Sequence, residues 1–522
     1  MNSLSSISPA APPEVSEPSP VAPPAHLTSG RLLAGNTLWN MVGLGLPMVV
    51  GVFCLPVLKR SLGTDRLGLI TLAWAVIGYF GLFDFGLSRA LTKLMAERLG
   101  QKKYHELHPL ISTSMILLAL LGGIGALVTF LISPWLIEHL NIPANLRQES
   151  LHSFYWLSAS LPLVIMTTGA RGVLEALQRF RLATAIRIPM GIFTYVGPVL
   201  MLPFSRSAAV IFGVLVVGRA IACVVHIWAC LHVLPELRRA PTVDKALAGP
   251  LLRFGGWMSV SNVVGPFLVT FDRFAIAAMI SVAAVAYYAV PFDVVFRLTL
   301  VPAALIAVLF PAFSTAGSAD RARLVFLYES GVKYIFISLF PVTLILIAFA
   351  PEGLNLWLGK DFALNSTPVA RWLLAAIFVN GLAQVPFAHL QSAGRPDITA
   401  KVHLFELPFY AVMLFILVKR FGIQGVAVAW LLRVVADAVL FFALSHRLLP
   451  QNKIVVSKLP ALVGAALAAF AVAGSGAPFG IRVMVVCGTV VLTGVAAWFW
   501  MFSPRERKSL QSLFRRAGAQ AG

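Results

Sequence analysis

From about Leu32 onward the chain is a succession of apolar stretches near 20 residues long, and this pattern limits the fold more than any other feature. A helix of that length spans ~30 Å, the thickness of a bilayer's hydrocarbon core. Fourteen such stretches are read, at 34–58, 67–87, 111–132, 151–170, 186–204, 208–232, 254–280, 287–311, 333–350, 370–390, 402–419, 423–445, 459–479 and 481–502. Charges interrupt the seventh (Asp272-Arg273) and the eighth (Asp293). Prolines inside them, such as Pro47, Pro162 and Pro408, are tolerable because neighbouring membrane helices re-satisfy the freed backbone groups. Only 12% of the 522 residues are charged and 58% are hydrophobic, whereas a soluble protein carries about 25% charged residues. The expected fold is therefore all-α, a polytopic membrane protein of about fourteen transmembrane helices. Disorder, a disulfide scaffold, a collagenous fibre and a soluble enzyme are excluded.

The net charge of +20 would suggest nucleic acid in a soluble chain. Here it follows from orientation. With the N-terminus placed in the cytoplasm, Lys and Arg in the loops and at span ends divide 27 inside to 9 outside. That bias predicts cytoplasmic termini and no nucleic-acid partner. Residues 1–30, rich in Pro, Ala and Ser, read as a disordered cytosolic tail without a cleavable signal. The expected division continues with helical lobes at 31–233 and 254–446, a cytosolic linker at 234–253, two added helices at 447–502 and a basic tail at 503–522. Trp39 with Pro47, and Trp257 with Pro266, recur at matching places in the first and seventh spans, as in two parallel copies of one half. Cys54, Cys223, Cys230 and Cys487 lie in apolar runs and read as small buried hydrophobes.

Charges within spans are costly and normally face a bundle interior or wet cavity. They are Asp84, Arg219, Asp272, Arg273, Asp293, Arg297, Arg371, Glu406, Arg433 and Asp437. Asp293/Arg297 and Arg433/Asp437 have the i,i+4 spacing that places both charges on one helix face. Asp272, Arg273, Asp293 and Arg297 fall at similar depth on two successive helices and are expected to form a working polar cluster in the outer half of the membrane. Asp84 and Arg89 bracket the inner end of the second span, where an interfacial cap is the plainer account. Asn380, Gln384 and His389 read as interhelical hydrogen-bonding groups.

No enzymatic signature emerges. Gly353 to Gly359-Lys360 is one residue too long for a phosphate loop and has Asp361 where a magnesium-binding hydroxyl belongs. His105 and His108 have no third metal ligand nearby. No inter-span loop exceeds roughly 25 residues, too short for a folded catalytic domain. Function then falls to the helix bundle. No cofactor is expected, and a proton or sodium gradient, or mass action, is left as the energy source.

Several blocks resemble the polysaccharide (Wzx-type) flippases of O-antigen and exopolysaccharide export. They run from Ser61 to Gly68, from Gly78 to Lys93, from Gly172 to Phe180, from Phe271 to Phe274, from Tyr287 to Asp293 and from Leu309 to Ser314. Their family belongs to the multidrug/oligosaccharidyl-lipid/polysaccharide exporter superfamily. The resemblance implies two six-helix lobes around a central cavity plus two C-terminal helices, in the bacterial inner membrane. It implies flipping of an undecaprenyl-diphosphate-linked oligosaccharide, with membrane lipids, a glycan polymerase and a chain-length regulator as partners. Asp84, Arg89, Arg219, Asp272, Arg273, Asp293, Arg297 and Arg433 are the candidate substrate-binding residues. Arg suits a diphosphate because its planar fork grips phosphate, although five span acids here oppose five span arginines. The alternatives are an ion-coupled multidrug antiporter, disfavoured because the first span has no acid; a lipid II flippase; and a glycan polymerase or ligase, disfavoured because no large outer loop exists.

Overall fold

A computed structural model describes residues 30–80, 84, 86–244, 249, 271–316, 320–451, 453–496, 498 and 507. The described residues form fourteen α-helices and contain no strand. They are α1 (Gly30–Phe80), α2 (Leu87–Gly100), α3 (Leu107–His139), α4 (Arg147–Ala176), α5 (Phe180–Met201) and α6 (Ala208–Val233), followed by α7 (271–279). The second set is α8 (Val282–Phe296), α9 (Leu300–Ala316), α10 (Arg321–Leu358), α11 (Lys360–Ser392), α12 (Pro396–Leu448), α13 (Lys453–Ala473) and α14 (Phe479–Ala496). Among the described residues, ten helical segments are long and apolar enough to cross a membrane. They do not map singly onto the expected stretches. The first two stretches share α1 and the eleventh and twelfth share α12, while the thirteenth falls on a shorter apolar helix, Lys458–Ala473. Much of the seventh, with Trp257 and Pro266, lies outside the described residues, as do residues 1–29.

Both long helices are interrupted at a glycine. Gly63 (φ 79°) splits α1 and Gly422 (φ 57°) splits α12, and only glycine adopts such angles without strain. The arms then fold back side by side. Gly51 and Trp74, at nearly equal distances from Gly63, both meet the ring of Tyr195. Past Gly422 the arms are so close that a Cβ at Gly425 would stand 2.0 Å from the Leu417 carbonyl oxygen.

Alternate turns gather on one side. Arg66 forms a bidentate pair with Glu149 at 2.9 Å, and Glu149 accepts the Ala208 amide, which ties together the turns before α4, before α6 and inside α1. On the same side Asn141 reaches α7. Its amide donates to Ala277 O (2.9 Å), its Nδ2 to Ala278 O (2.7 Å), and its carbonyl accepts from the Val282 amide (3.3 Å). Trp357 Nε1 donates to Val52 O at 2.6 Å. Helix α1 packs on both α5 and α8 and is thus the seam between the two halves. The seam is tight, since a Cβ at Gly68 would lie 1.9 Å from the Val282 carbonyl oxygen.

The outer faces are apolar. Leu120, Ile124, Leu127, Leu131 and Trp135 of α3 are exposed, as are Phe405, Phe409, Val412 and Ile416 of α12. Patches this large on a soluble monomer would drive association; against acyl chains they are the expected surface. Cys54, Cys223 and Cys230 are buried, but Cys487 is exposed. The expectation of burial fails there because α14 packs mainly on α10 and leaves most of its surface outward. His389 bonds Ser445 Oγ at 2.8 Å, linking α11 to α12.

Candidate functional site

The site begins with a carboxylate removed from solvent. Asp272 on α7 is 0% exposed and accepts hydroxyl hydrogen bonds from Tyr288 of α8 (2.7 Å) and from Tyr410 of α12. A buried ionised group is tolerable only when it is hydrogen-bonded, and two phenols supply that. Next to it Arg273, also buried, points the other way. Its Nη2 pairs with Asp293 and its Nη1 donates to the Thr71 carbonyl of α1 at 3.3 Å. Its guanidinium also lies 5.8 Å from the Phe292 ring centre. Arg273 therefore joins three helices and both halves of the molecule.

Asp293 is 40% exposed and opens onto a small cavity of about 30 Å³. The cavity lies on the seam, lined by Gly51, Thr71 and Trp74 of α1, Tyr195 of α5, and Asp293 and Arg297 from the α8 side. At Arg297–Thr299 the α8 helix gives way to a 3₁₀ turn before α9 begins. Such a mid-helix change often marks a hinge. Arg297 thus stands at a break in the helix and beside the cavity.

This geometry corrects one expectation. Asp293 and Arg297 form no ion pair among the described residues; the partner of Asp293 is Arg273. The i,i+4 rule needs a continuous helix, and α8 ends at Phe296. Thr71, Asp272, Asp293, Tyr410 and Arg433 lie 8 to 12 residues from their nearest turns on the Arg66–Asn141 side, or about 12–18 Å of helix. That is the half of the bundle nearer those turns.

Arg433 joins the cluster through Tyr410, its guanidinium 5.5 Å from that ring centre. Its Nη1 lies 3.6 Å from Asp437, so the second expected i,i+4 pair forms. Three residues stand apart. Asp84 lies in a turn ahead of α2, where its carboxylate accepts the Gly86 amide at 2.8 Å. It shapes the elbow into α2, as the plainer account has it. Arg89 is exposed on the first turn of α2. Arg219 lies on α6, its Nε buried without a hydrogen-bond partner. Sequence reasoning missed Thr71, Tyr195, Tyr288 and Tyr410 as site residues. A hydroxyl in an apolar helix is a weak signal, but Tyr288 and Tyr410 each fall within a predicted span, where a phenol needs a partner.

The chain can now be set beside known proteins. Residues 33–316 match the family described as polysaccharide biosynthesis protein. A Shigella flexneri protein named "Putative O-antigen transporter" is 29% identical over 406 residues, covering 78% of this chain and 96% of that one. Among solved structures, the lipid II flippase MurJ in an inward closed conformation has a TM-score of 0.66 at 13% identity, over 89% of this chain and 99% of that one. An inward-facing multidrug resistance MATE transporter of the MOP superfamily has a TM-score of 0.63 at 15% identity, over 79% and 98%. At such identities these two likenesses speak for the fold. The protein is thus a multi-span membrane protein with the fold of the MOP superfamily transporters, and it belongs to the polysaccharide biosynthesis protein family.

Proposed function

We propose that this protein flips an undecaprenyl-diphosphate-linked oligosaccharide from the inner to the outer leaflet of the bacterial inner membrane. The observation that carries the reading is the match to 96% of a relative named as an O-antigen transporter. The buried polar cluster supports it. Arg297 faces the cavity beside Asp293, and Arg273 anchors Asp293 from behind. Guanidinium is suited to a diphosphate, while the carboxylates keep the empty site near neutral.

The same reading includes fourteen crossings with both termini cytoplasmic. Two hairpins at Gly63 and Gly422, the expected stretch 254–280, of which the helix at 271–279 is described, and the shorter Lys458–Ala473 supply the crossings beyond the ten long segments. The 27-to-9 bias of Lys and Arg supports the orientation. Two six-helix lobes meet along α1 and α8, with α13 and α14 added on α10. Energy comes from an ion gradient or mass action, and a glycan polymerase and chain-length regulator take the product onward.

The test is deletion and complementation. Loss of the gene removes one surface glycan and leaves its lipid-linked repeat units on the cytosolic leaflet. Unchanged surface glycan, in a strain without a second flippase, contradicts the proposal.

A further inference from the structure

The most exacting polar feature of the molecule lies one turn beyond the cluster. Glu406 and Asp437 stand on the two arms of α12, sixteen residues before and fifteen residues after Gly422. Because the arms fold back at Gly422, the two side chains reach the same depth, about 23 Å of helix from the turn. Both are buried, Glu406 to 7% and Asp437 to 5% exposure. Glu406 faces Asp437 and Arg433. Yet neither Glu406 oxygen has a hydrogen-bond partner, and Oδ1 of Asp437 has none.

The surrounding charges do not balance this pair. Arg273 is engaged by Asp293, and Asp272 is satisfied by two phenols. What remains near Glu406 and Asp437 is Arg433, its Nη1 3.6 Å from Asp437, and His403, its Nε2 3.9 Å from Asp437. His403 is held between rings, stacked on Phe387 of α11 and edge-on to Phe441. Tyr410 lies one turn away with its hydroxyl given to Asp272. On the facing helix α11, His389 bonds Ser445 two turns further along α12. Two carboxylates and one guanidinium thus share a dry site, leaving one negative charge uncompensated. Two facing carboxylates cannot hydrogen-bond each other, because neither has a donor.

We propose that Glu406 and Asp437 form a proton-binding site that holds one shared proton at neutral pH. The proton turns one carboxyl into a donor, satisfies the orphaned oxygens and brings the local charge to zero. A metal cation suits the place less, because the Arg433 guanidinium 3.6 Å from Asp437 would repel it. From this pair the contacts run through Arg433 and Tyr410 to Asp272, whose neighbour Arg273 holds Asp293 at the cavity. Release of the proton strengthens the pull on Arg433 and so draws on the Tyr410–Asp272 link. The site does not depend on what the cavity carries.

The test is infrared difference spectroscopy of the full-length protein in lipid nanodiscs across a pH titration. The expected result is a carbonyl band from one protonated carboxylic acid at neutral pH, lost on raising the pH. It should vanish in both Glu406→Gln and Asp437→Asn, shift in Glu406→Asp, and persist in Asp272→Asn and His403→Asn. Glu406→Asp keeps an acid in place and serves if the amide variants do not fold. Absence of the band at neutral pH, its persistence in both amide variants, or an unshifted band in Glu406→Asp overturns the proposal. Loss of the band on adding sodium at fixed pH overturns it in favour of a cation-exchange site. Because the readout is spectroscopic, its failure is distinguishable from failure of the glycan reading.

Discussion

The two halves of the bundle handle charge in opposite ways. In the C-terminal half, Asp272, Arg273, Asp293, Arg433 and Asp437 interlock through ion pairs and tyrosine hydroxyls. In the N-terminal half the predicted spans on α3 to α6 contain no carboxylate at all, and Arg219 is half-buried there with a buried, unpartnered Nε. Hydroxyls in that half mostly bond back to their own helix, as Ser158 does to Phe154 O and Thr167 to Leu163 O. Paired charges fix geometry, whereas Arg219, with no ion pair among the described residues, invites an anion from outside. The difference suggests that the C-terminal half sets the position of the cavity and the N-terminal half contributes attraction.

The largest effect should come from the joint between the halves. Arg273→Ala strands Asp293 and frees α7 from Thr71. Removing one member of a buried pair costs 3–5 kcal/mol; Asp293 is 40% exposed, so about 3 kcal/mol is expected. Thermal unfolding of the purified variant measures the stability, and complementation should show export lost. Full export at matched expression would break the proposed division of roles.

Gly68→Ala attacks the same seam from the backbone. The added Cβ would lie 1.9 Å from the Val282 carbonyl oxygen, so α1 and α8 must separate. Cysteine cross-linking between residues 141 and 278 should fall sharply in this variant, without the exposed surface of either half changing. Undiminished cross-linking would show that the contact is not a tight one.

Tyr410→Phe and Tyr288→Phe each leave Asp272 with one hydrogen bond. Each should lower stability by about 1–3 kcal/mol, and the pair together by more than the sum of the two, since a buried carboxylate then has no donor. Equal additive losses would argue that Asp272 is satisfied by other means.

The smallest stability effect belongs to Arg219→Gln. Removing a half-buried charge whose Nε is buried without a partner relieves desolvation, so the unfolding temperature should stay level or rise while export falls. A clear loss of stability would make Arg219 a packing residue and erase the contrast between the halves.

Much of this was legible in the sequence. The apolar stretches located every described helix that crosses the bundle, because length and hydropathy are the whole requirement for spanning. Charges inside those stretches located Asp272, Arg273 and Asp293 together, because lipid forces such groups inward. The partner choice was not legible. Helix α8 ends just before Arg297, which turns a predicted i,i+4 pair into a hinge residue beside a cavity. Asp84 falls in an apolar run of the sequence, which gives no sign of the elbow that Gly86 makes (φ 68°) with the Asp84 carboxylate on its amide. Glu406 and Asp437 could have been paired from their equal spacing about Gly422, had the positive φ of that glycine been known.

The most direct test of the central claim uses vesicles containing the purified protein and a lipid-diphosphate-linked oligosaccharide, with an impermeant glycan-cleaving enzyme reporting exposure. The account predicts that wild-type protein makes the inner-leaflet glycan accessible, and that Arg297→Ala slows this at least tenfold while Arg297→Lys retains part of it. Vesicles that expose the glycan equally with wild-type protein, with Arg297→Ala and with no protein would contradict it.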